Sequence, residues 1–269
     1  MRHPLQALQA IVMRELMKFL RQYGRLVSAI VRPLLWLAVF AAGFRNVFGV
    51  AINEPYDTYI PYDIYIAPGL VGMVLLFNGM QSSLAMVYDR EMGLMRLLLT
   101  APLPRWWILF AKLTATAVLS LLQAAAFVIV AWALGTPLPV IGSHTPMVLA
   151  AAVSAALMLG ALGLLLSVHI KQLENFAGTM NFVIFPMYFM STALYPLWKL
   201  EESGAGWVYQ IARFNPFTHA VEWLRFALYD KDPGVSPTIV LATLALCFAL
   251  AAWGYDPQRG FGALTKRGG

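Results

Sequence analysis

Asp89-Arg90-Glu91-Met92-Gly93, then Leu94-Met95-Arg96-Leu97-Leu98-Leu99, then Thr100-Ala101-Pro102-Leu103-Pro104-Arg105, lies between two long apolar runs, 66–88 and 107–134. A short polar loop would suffice to turn a chain between two membrane spans. This connector, 89–106, is longer, carries both signs of charge and has an apolar middle of helical length. Such a segment can lie on a membrane surface and offer a face to a soluble partner.

Working outward, the chain is 60% hydrophobic and only 12% charged. A soluble domain of 269 residues needs far more polar surface. Several apolar runs approach or exceed the ~20 residues that span a bilayer as a helix. In lipid each backbone polar group must pair internally, so the spans are helices. The alternating segments of a membrane β-barrel are absent from the sequence. The expected fold class is therefore all-α, a polytopic helical membrane protein. The single cysteine, Cys247, excludes an internal disulfide. No cleavage site follows the first apolar run, which reads as a retained anchor.

Six spans are expected, at 26–44, 66–88, 107–134, 147–170, 176–196 and 237–255. Lysines and arginines set their orientation. Arg2, Arg14, Lys18, Arg21 and Arg25 precede the first span, and Arg90, Arg96 and Arg105 sit in the second connector. Lys171 lies in the fourth connector, and Arg259, Lys266 and Arg267 in the tail. The opposite side carries Arg45, then none in 135–146, then Lys199, Arg213, Arg225 and Lys231 among five acids. This bias puts both termini in the cytoplasm. The net charge of +6 reflects that basic face and does not imply nucleic acid.

Residues 1–25 form a separate element ahead of the 26–269 transmembrane domain. Arg14, Lys18, Arg21 and Arg25 are spaced four, three and four, one stripe of a helix. Leu5, Leu8, Val12, Leu16 and Phe19 form another stripe. The expectation is an amphipathic helix in the interface, basic toward headgroups or a partner. It either only anchors the first span or docks beside a partner.

The outer connector, 197–236, is too apolar for a free loop, with Trp198, Trp207, Tyr209, Phe214, Phe217, Trp223 and Phe226. Gly204, Gly206 and Asn215-Pro216 punctuate it. Two short helices are expected, 206–214 and 217–229, dipping into the outer interface with tryptophans at headgroup level. They either cover the mouth of a pathway or form an aromatic belt.

The chemistry of an enzyme is missing from the sequence. There is no Gly-x-x-x-x-Gly-Lys-Ser/Thr loop, and the run from Gly260 to Lys266 has the wrong spacing. The chain should not bind ATP itself. His3, His144, His169 and His219 are scattered and suggest no metal site. Ion-coupled carriers keep charge deep in the membrane. Here Arg32, Lys112, His169 and Glu174 all read as lying near cytoplasmic span ends, where long side chains snorkel. Asn78, Gln81, Ser82, Ser83, Thr116, Ser120 and Gln123, with Gly160 and Gly163, serve either helix contacts or a pathway lining. Met180, Met187, Met190 and their neighbouring aromatics make the fifth span soft, which suits a greasy ligand or lipid packing equally. A membrane architecture without an energy source calls for a partner that supplies one.

These residues resemble the ABC-2 type membrane permeases. Asp89-Arg90-Glu91-x-Gly93, the leucine run, Thr100-Ala101-Pro102-Leu103-Pro104-Arg105 and Lys112 resemble their cytoplasmic loop. Ser191-Thr192-Ala193-Leu194-Tyr195-Pro196-Leu197 resembles the end of their fifth span. Asn215-Pro216-Phe217-Thr218 with Glu222-x-x-Arg225 resembles the stretch before their last span, and Ala67-Pro68-Gly69 opens the second. The resemblance implies a half-transporter: two permease subunits, here expected as a homodimer, with two copies of a separate P-loop ATPase that holds ATP and Mg. It implies a coupling helix between spans two and three, with Asp89, Arg90, Glu91, Gly93, Arg96 and Leu97 in or beside it. Many members carry an acid where this chain has Arg96, so no specific ion pair transfers. It also implies an outer gate that includes Trp207, Asn215, Pro216, Phe217, Trp223 and Arg225. Members export amphipathic or lipid-linked molecules, and the expected location is a bacterial inner membrane. The alternatives are a channel or secondary carrier without an ATPase, and a scaffold that recruits a soluble enzyme.

Overall fold

Helix is the only regular structure among the described residues, as the apolar content demands. The computed structural model describes residues 2–21, 23–44, 55–57, 60–92, 104–136, 138–170, 172–202, 204 and 206–255. Among them the helices are α1 Arg2–Leu20, α2 Tyr23–Phe44, α3 Tyr62–Glu91, α4 Arg105–Ala133 and α5 Thr145–His169. Then come α6 Leu173–Phe189, α7 Leu197–Glu202, α8 Gly206–Phe214, α9 Pro216–Leu228 and α10 Ser236–Gly254.

Four of these are long and apolar enough to cross a membrane: α3, α4, α5 and α10. Helices α2 and α6 occupy the stretches expected for the first and fifth spans, with 22 and 17 residues. The fifth differs from its expected extent. The helix stops at Phe189, and the chain continues to Pro196 without helical structure while Ser191, Thr192, Ala193 and Leu194 stay buried. Non-helical backbone at such depth is tolerated only where protein groups satisfy it.

Helix α3 is the hub. Ile66, Leu70, Leu75, Leu76 and Met80 are fully buried on it, and α2, α4, α5, α6 and α9 all pack around it. Small residues permit the close approach of α5. A Cβ on Gly163 would lie 2.5 Å from Ser83 Oγ, and one on Gly160 would lie 2.9 Å from Leu113. A buried amide relay ties α3 to α4: Asn78 Nδ2 donates to Ser120 Oγ at 2.7 Å, and Gln123 Nε2 donates to Asn78 Oδ1 at 3.1 Å. These polar residues thus serve helix contacts.

Helix α1 lies against α4, with Trp107 Nε1 donating to the Pro4 carbonyl at 3.0 Å. It is shorter than the 1–25 element read from the charge stripe. It closes at Leu20, and a new helix begins at Tyr23. Arg14 and Lys18 therefore sit on α1, Arg21 follows its last turn, and Arg25 belongs to α2, its side chain outside the described set. Gly24, in the first turn of α2, is a poor helix former at this junction.

Candidate functional site

One polar cluster forms where α3 ends. Helix α3 runs through Asp89, Arg90 and Glu91 without a break, so these three belong to its last turn. Gly93, Arg96 and Leu97, like most of the expected coupling helix, lie outside the described residues, and so does the Arg90 side chain. Asp89 is buried. Its Oδ2 is 2.8 Å from Lys112 Nζ on α4 and 3.9 Å from Arg14 Nη2 on α1. Lys112 is thus held inside the protein by a carboxylate and does not snorkel. Arg14 also pairs with Glu15 at 2.7 Å. Glu91 reaches the other way: its Oε1 accepts a hydrogen bond from the Leu173 N–H at 2.9 Å. That donor is among the first N–H groups of α6, which have no partner inside the helix, and a carboxylate suits this end of the helix dipole. The last turn of α3 therefore touches α1, α4 and α6 together.

A second cluster is built around the non-helical segment after α6. Asn215 sits at the junction. Its Oδ1 accepts from the Phe217 N–H at 3.0 Å and caps α9, with Pro216 in the first turn. Its Nδ2 donates to the carbonyls of Met187 and Met190, both at 2.8 Å. One side chain thus caps the start of α9 and the end of α6. Further along, the Thr192 carbonyl accepts from Arg225 Nη2 at 2.8 Å and from the Tyr65 hydroxyl at 3.1 Å. The Leu194 carbonyl accepts from the Tyr62 hydroxyl at 2.8 Å.

Arg225 is 2% exposed. Its Nη1 donates to Glu222 one turn back, and its guanidinium stacks 4.1 Å from the centre of the Tyr65 ring. Burial alone would depress its pKa, but Glu222 and the tyrosines outweigh that and hold it above the ordinary value. A cavity of about 370 Å³ adjoins the pair, lined by Tyr56, Tyr65, Thr192, Trp198, Glu222 and Arg225 among others. His219 lines it as well, and its pKa is pushed down mainly by burial.

The expected outer residues separate into two groups. Asn215, Phe217, Trp223 and Arg225 are buried, with Pro216 beside them, and Phe217 packs near the Tyr188 ring. Trp207 stands apart on α8 and is 64% exposed. Sequence reasoning singled out neither Tyr62 nor Tyr65. It also gave no role to Gly69, where a Cβ would lie 2.4 Å from the Ala193 carbonyl oxygen. The signal for the tyrosines is their spacing of three, which puts both on one face of α3.

Arg32 departs most from its expected place. Its guanidinium lies 4.3 Å from the centre of the Phe77 ring, and Phe77 is at the middle of the 30-residue α3. The charge sits beside the middle of α3 and not beside either of its ends.

The helices and their clusters describe a multi-pass membrane protein whose two polar centres lie at opposite ends of one hub helix. The ABC-2 type transporter family model matches residues 6–229, and the chain belongs to that family. It is 29% identical over 244 residues to a protein of Porphyra purpurea named "Putative transport permease ycf38", covering 88% of this chain and 78% of that one. Proteins of the same name from Pyropia yezoensis and Cyanophora paradoxa are 30% and 31% identical. Those matches cover 84% and 85% of this chain, and 75% and 76% of the relatives. The protein is a membrane transport permease, and its family implies an ABC ATPase partner.

Proposed function

We propose that the chain is the permease half of an ATP-driven exporter of amphipathic or lipid-linked molecules. It crosses a bacterial inner membrane six times with both termini in the cytoplasm. Two permease copies pair with two copies of a separate ATPase, which holds ATP and Mg. The connector after Glu91 seats on that ATPase, and the outer cluster around Asn215 and Arg225 opens and closes the exit.

One observation carries the reading. The last turn of α3, at the root of the connector, is bonded to α4 through Lys112 and to α6 through Leu173. A displacement of the connector therefore acts on both helices at once. Helix α6 ends in the segment that Asn215, Tyr62, Tyr65 and Arg225 hold. A pull at the cytoplasmic end has a bonded route to the outer end. The basic stripe of Arg14, Lys18 and Arg21 supports a docking role beside the ATPase.

The test is purification from the native membrane in mild detergent, with mass analysis and an ATPase assay. Arg90→Glu and Gly93→Pro variants run beside the wild type. A stoichiometric P-loop ATPase, lost or uncoupled in the variants, is the expected result. A permease that comes alone, with the ATPase expressed, overturns the proposal and favours a channel or carrier.

A further inference from the structure

The cavity of about 370 Å³ beside Arg225 lies between α3, α7 and α9, and no residue of α2 or α6 is in its lining. Its size is that of a small-ligand site, on the order of ten times the ~30 Å³ share of one water. Four rings stand in its wall: Tyr56, Tyr65, Trp198 and Phe226. Polar groups stand between them, and several have unused hydrogen-bonding capacity.

Tyr56 Oη, Thr192 Oγ1, Trp198 Nε1 and Arg225 Nε are buried and have no hydrogen-bond partner among the described residues. Buried polar groups are normally paired, so four such atoms in the wall of one cavity point to a guest. The indole and guanidinium nitrogens only donate, so the guest must accept. The two hydroxyls do either. Glu222 makes the opposite demand. Its Oε1 is taken by Arg225, and among the described residues its second oxygen takes no hydrogen bond, so the guest must also donate. The charge of Arg225 is met by Glu222, and burial keeps His219 neutral at pH 7, so the wall has no net charge. A charged guest would be buried there without a counter-ion, at high cost. Hydroxyl groups donate and accept without charge, and the apolar face of a saturated ring packs on aromatic rings.

We infer that this cavity binds a neutral, polyhydroxylated ring, the chemistry shared by a hexose and an inositol. One face of the ring lies against the aromatic side chains, and Trp198, Arg225 and Glu222 bond its hydroxyls. The four unpartnered atoms are covered in this structure, so the side chains of the wall turn onto the guest. Binding needs no ATPase and does not rest on the exporter reading.

The test uses the full chain in phosphatidylcholine nanodiscs, free of glycoside detergent, and saturation-transfer NMR. The probes are the methyl glycosides of glucose, galactose and mannose, then myo-inositol, with cyclohexanol and glucuronate as controls. At least one hexoside or myo-inositol is expected to bind saturably, and the two arms separate a sugar from an inositol site. Cyclohexanol and glucuronate should bind at least roughly tenfold more weakly, for want of hydroxyls and of a counter-ion. Trp198→Phe keeps a ring and removes the N–H, and should weaken binding by about threefold or more. Trp198→Ala should abolish it, and Trp207→Phe on α8 should leave it unchanged. No saturable binding of any hexoside or of myo-inositol overturns the inference and leaves the cavity to water. Equal binding of either control overturns it too, as does binding that Trp198→Phe does not weaken. If Trp198→Ala fails to fold, the wild-type titrations and Trp198→Phe still decide. Failure here leaves the ATPase partnership standing, because that rests on co-purification.

Discussion

Glu91 and Leu173 meet where α3 ends and α6 begins, 82 residues apart in sequence, through one hydrogen bond from the Leu173 N–H to the Glu91 carboxylate. This bond gives the first prediction. Glu91→Ala removes the acceptor and the charge and should cost about 1 kcal/mol of stability, as lost helix caps do. Glu91→Gln keeps an acceptor and should cost less. Thermal unfolding in detergent checks the order, and transport-coupled ATPase activity should fall more than stability does.

The Asp89–Lys112 pair predicts a non-additive cycle. Removing Asp89 leaves the Lys112 charge buried alone, which costs about 3–5 kcal/mol, and removing Lys112 leaves Asp89 with Arg14 at 3.9 Å only, whereas replacing both by neutral groups is much cheaper. Lys112→Met should therefore destabilise more than the Asp89→Asn, Lys112→Met double variant. Reversible denaturation of the four proteins measures the coupling, and simple additivity would contradict the pairing.

Asn215 permits a sharper choice. Aspartate caps a helix as well as asparagine does. Yet Asn215→Asp removes the two donor bonds to Met187 and Met190 and sets a carboxylate against their carbonyls. It should be at least as destabilising as Asn215→Ala, by roughly 2 kcal/mol or more. A capping role alone would make it harmless.

Two glycines form a matched pair. Gly69→Ala drives a Cβ to 2.4 Å from the Ala193 carbonyl oxygen and must push the buried segment off α3. Gly178→Ala, on α6, meets nothing within 4 Å and should be neutral or stabilise by up to about 1 kcal/mol, the helix propensity difference. The melting temperature should fall for Gly69→Ala and should hold or rise for Gly178→Ala.

His219 sets an acid-side sensitivity. Burial lowers its pKa below the ordinary 6.5, and the unfolded chain returns it to that value. Below 6.5 the unfolded state binds the proton more readily, so stability falls with acidification until the folded pKa is passed. The ring contacts the Arg213 carbonyl and Ser236 Oγ. In His219→Gln the part of the stability decline that starts near 6.5 should disappear, read as melting temperature against pH.

Local signals carried much of this architecture and long-range ones carried the rest. The apolar runs announced helices because lipid leaves the backbone no alternative. Helix α8 falls between Gly204 and Asn215, and α9 opens at Pro216, so local punctuation marks both. The early end of α6 was not legible. The carbonyls it exposes are met by Tyr62, Tyr65, Asn215 and Arg225, which are tens of residues or more away in sequence. Asp89 looked like a surface charge until Lys112 stood beside it, and Arg32 looked like a snorkelling residue until α3 fixed where its ring partner lay. A pattern of residue types gives a charge but not the group that faces it.

The short α6 also has a consequence for the lipid around it. Its 17 residues reach roughly 26 Å at 1.5 Å each, less than the ~30 Å of a hydrocarbon core, whereas the 29 residues of α4 exceed it. The belt that this protein presents to the bilayer is therefore uneven. Beside α6 the depth that the helix leaves is filled by the buried segment 190–196, whose carbonyls meet protein donors and not lipid.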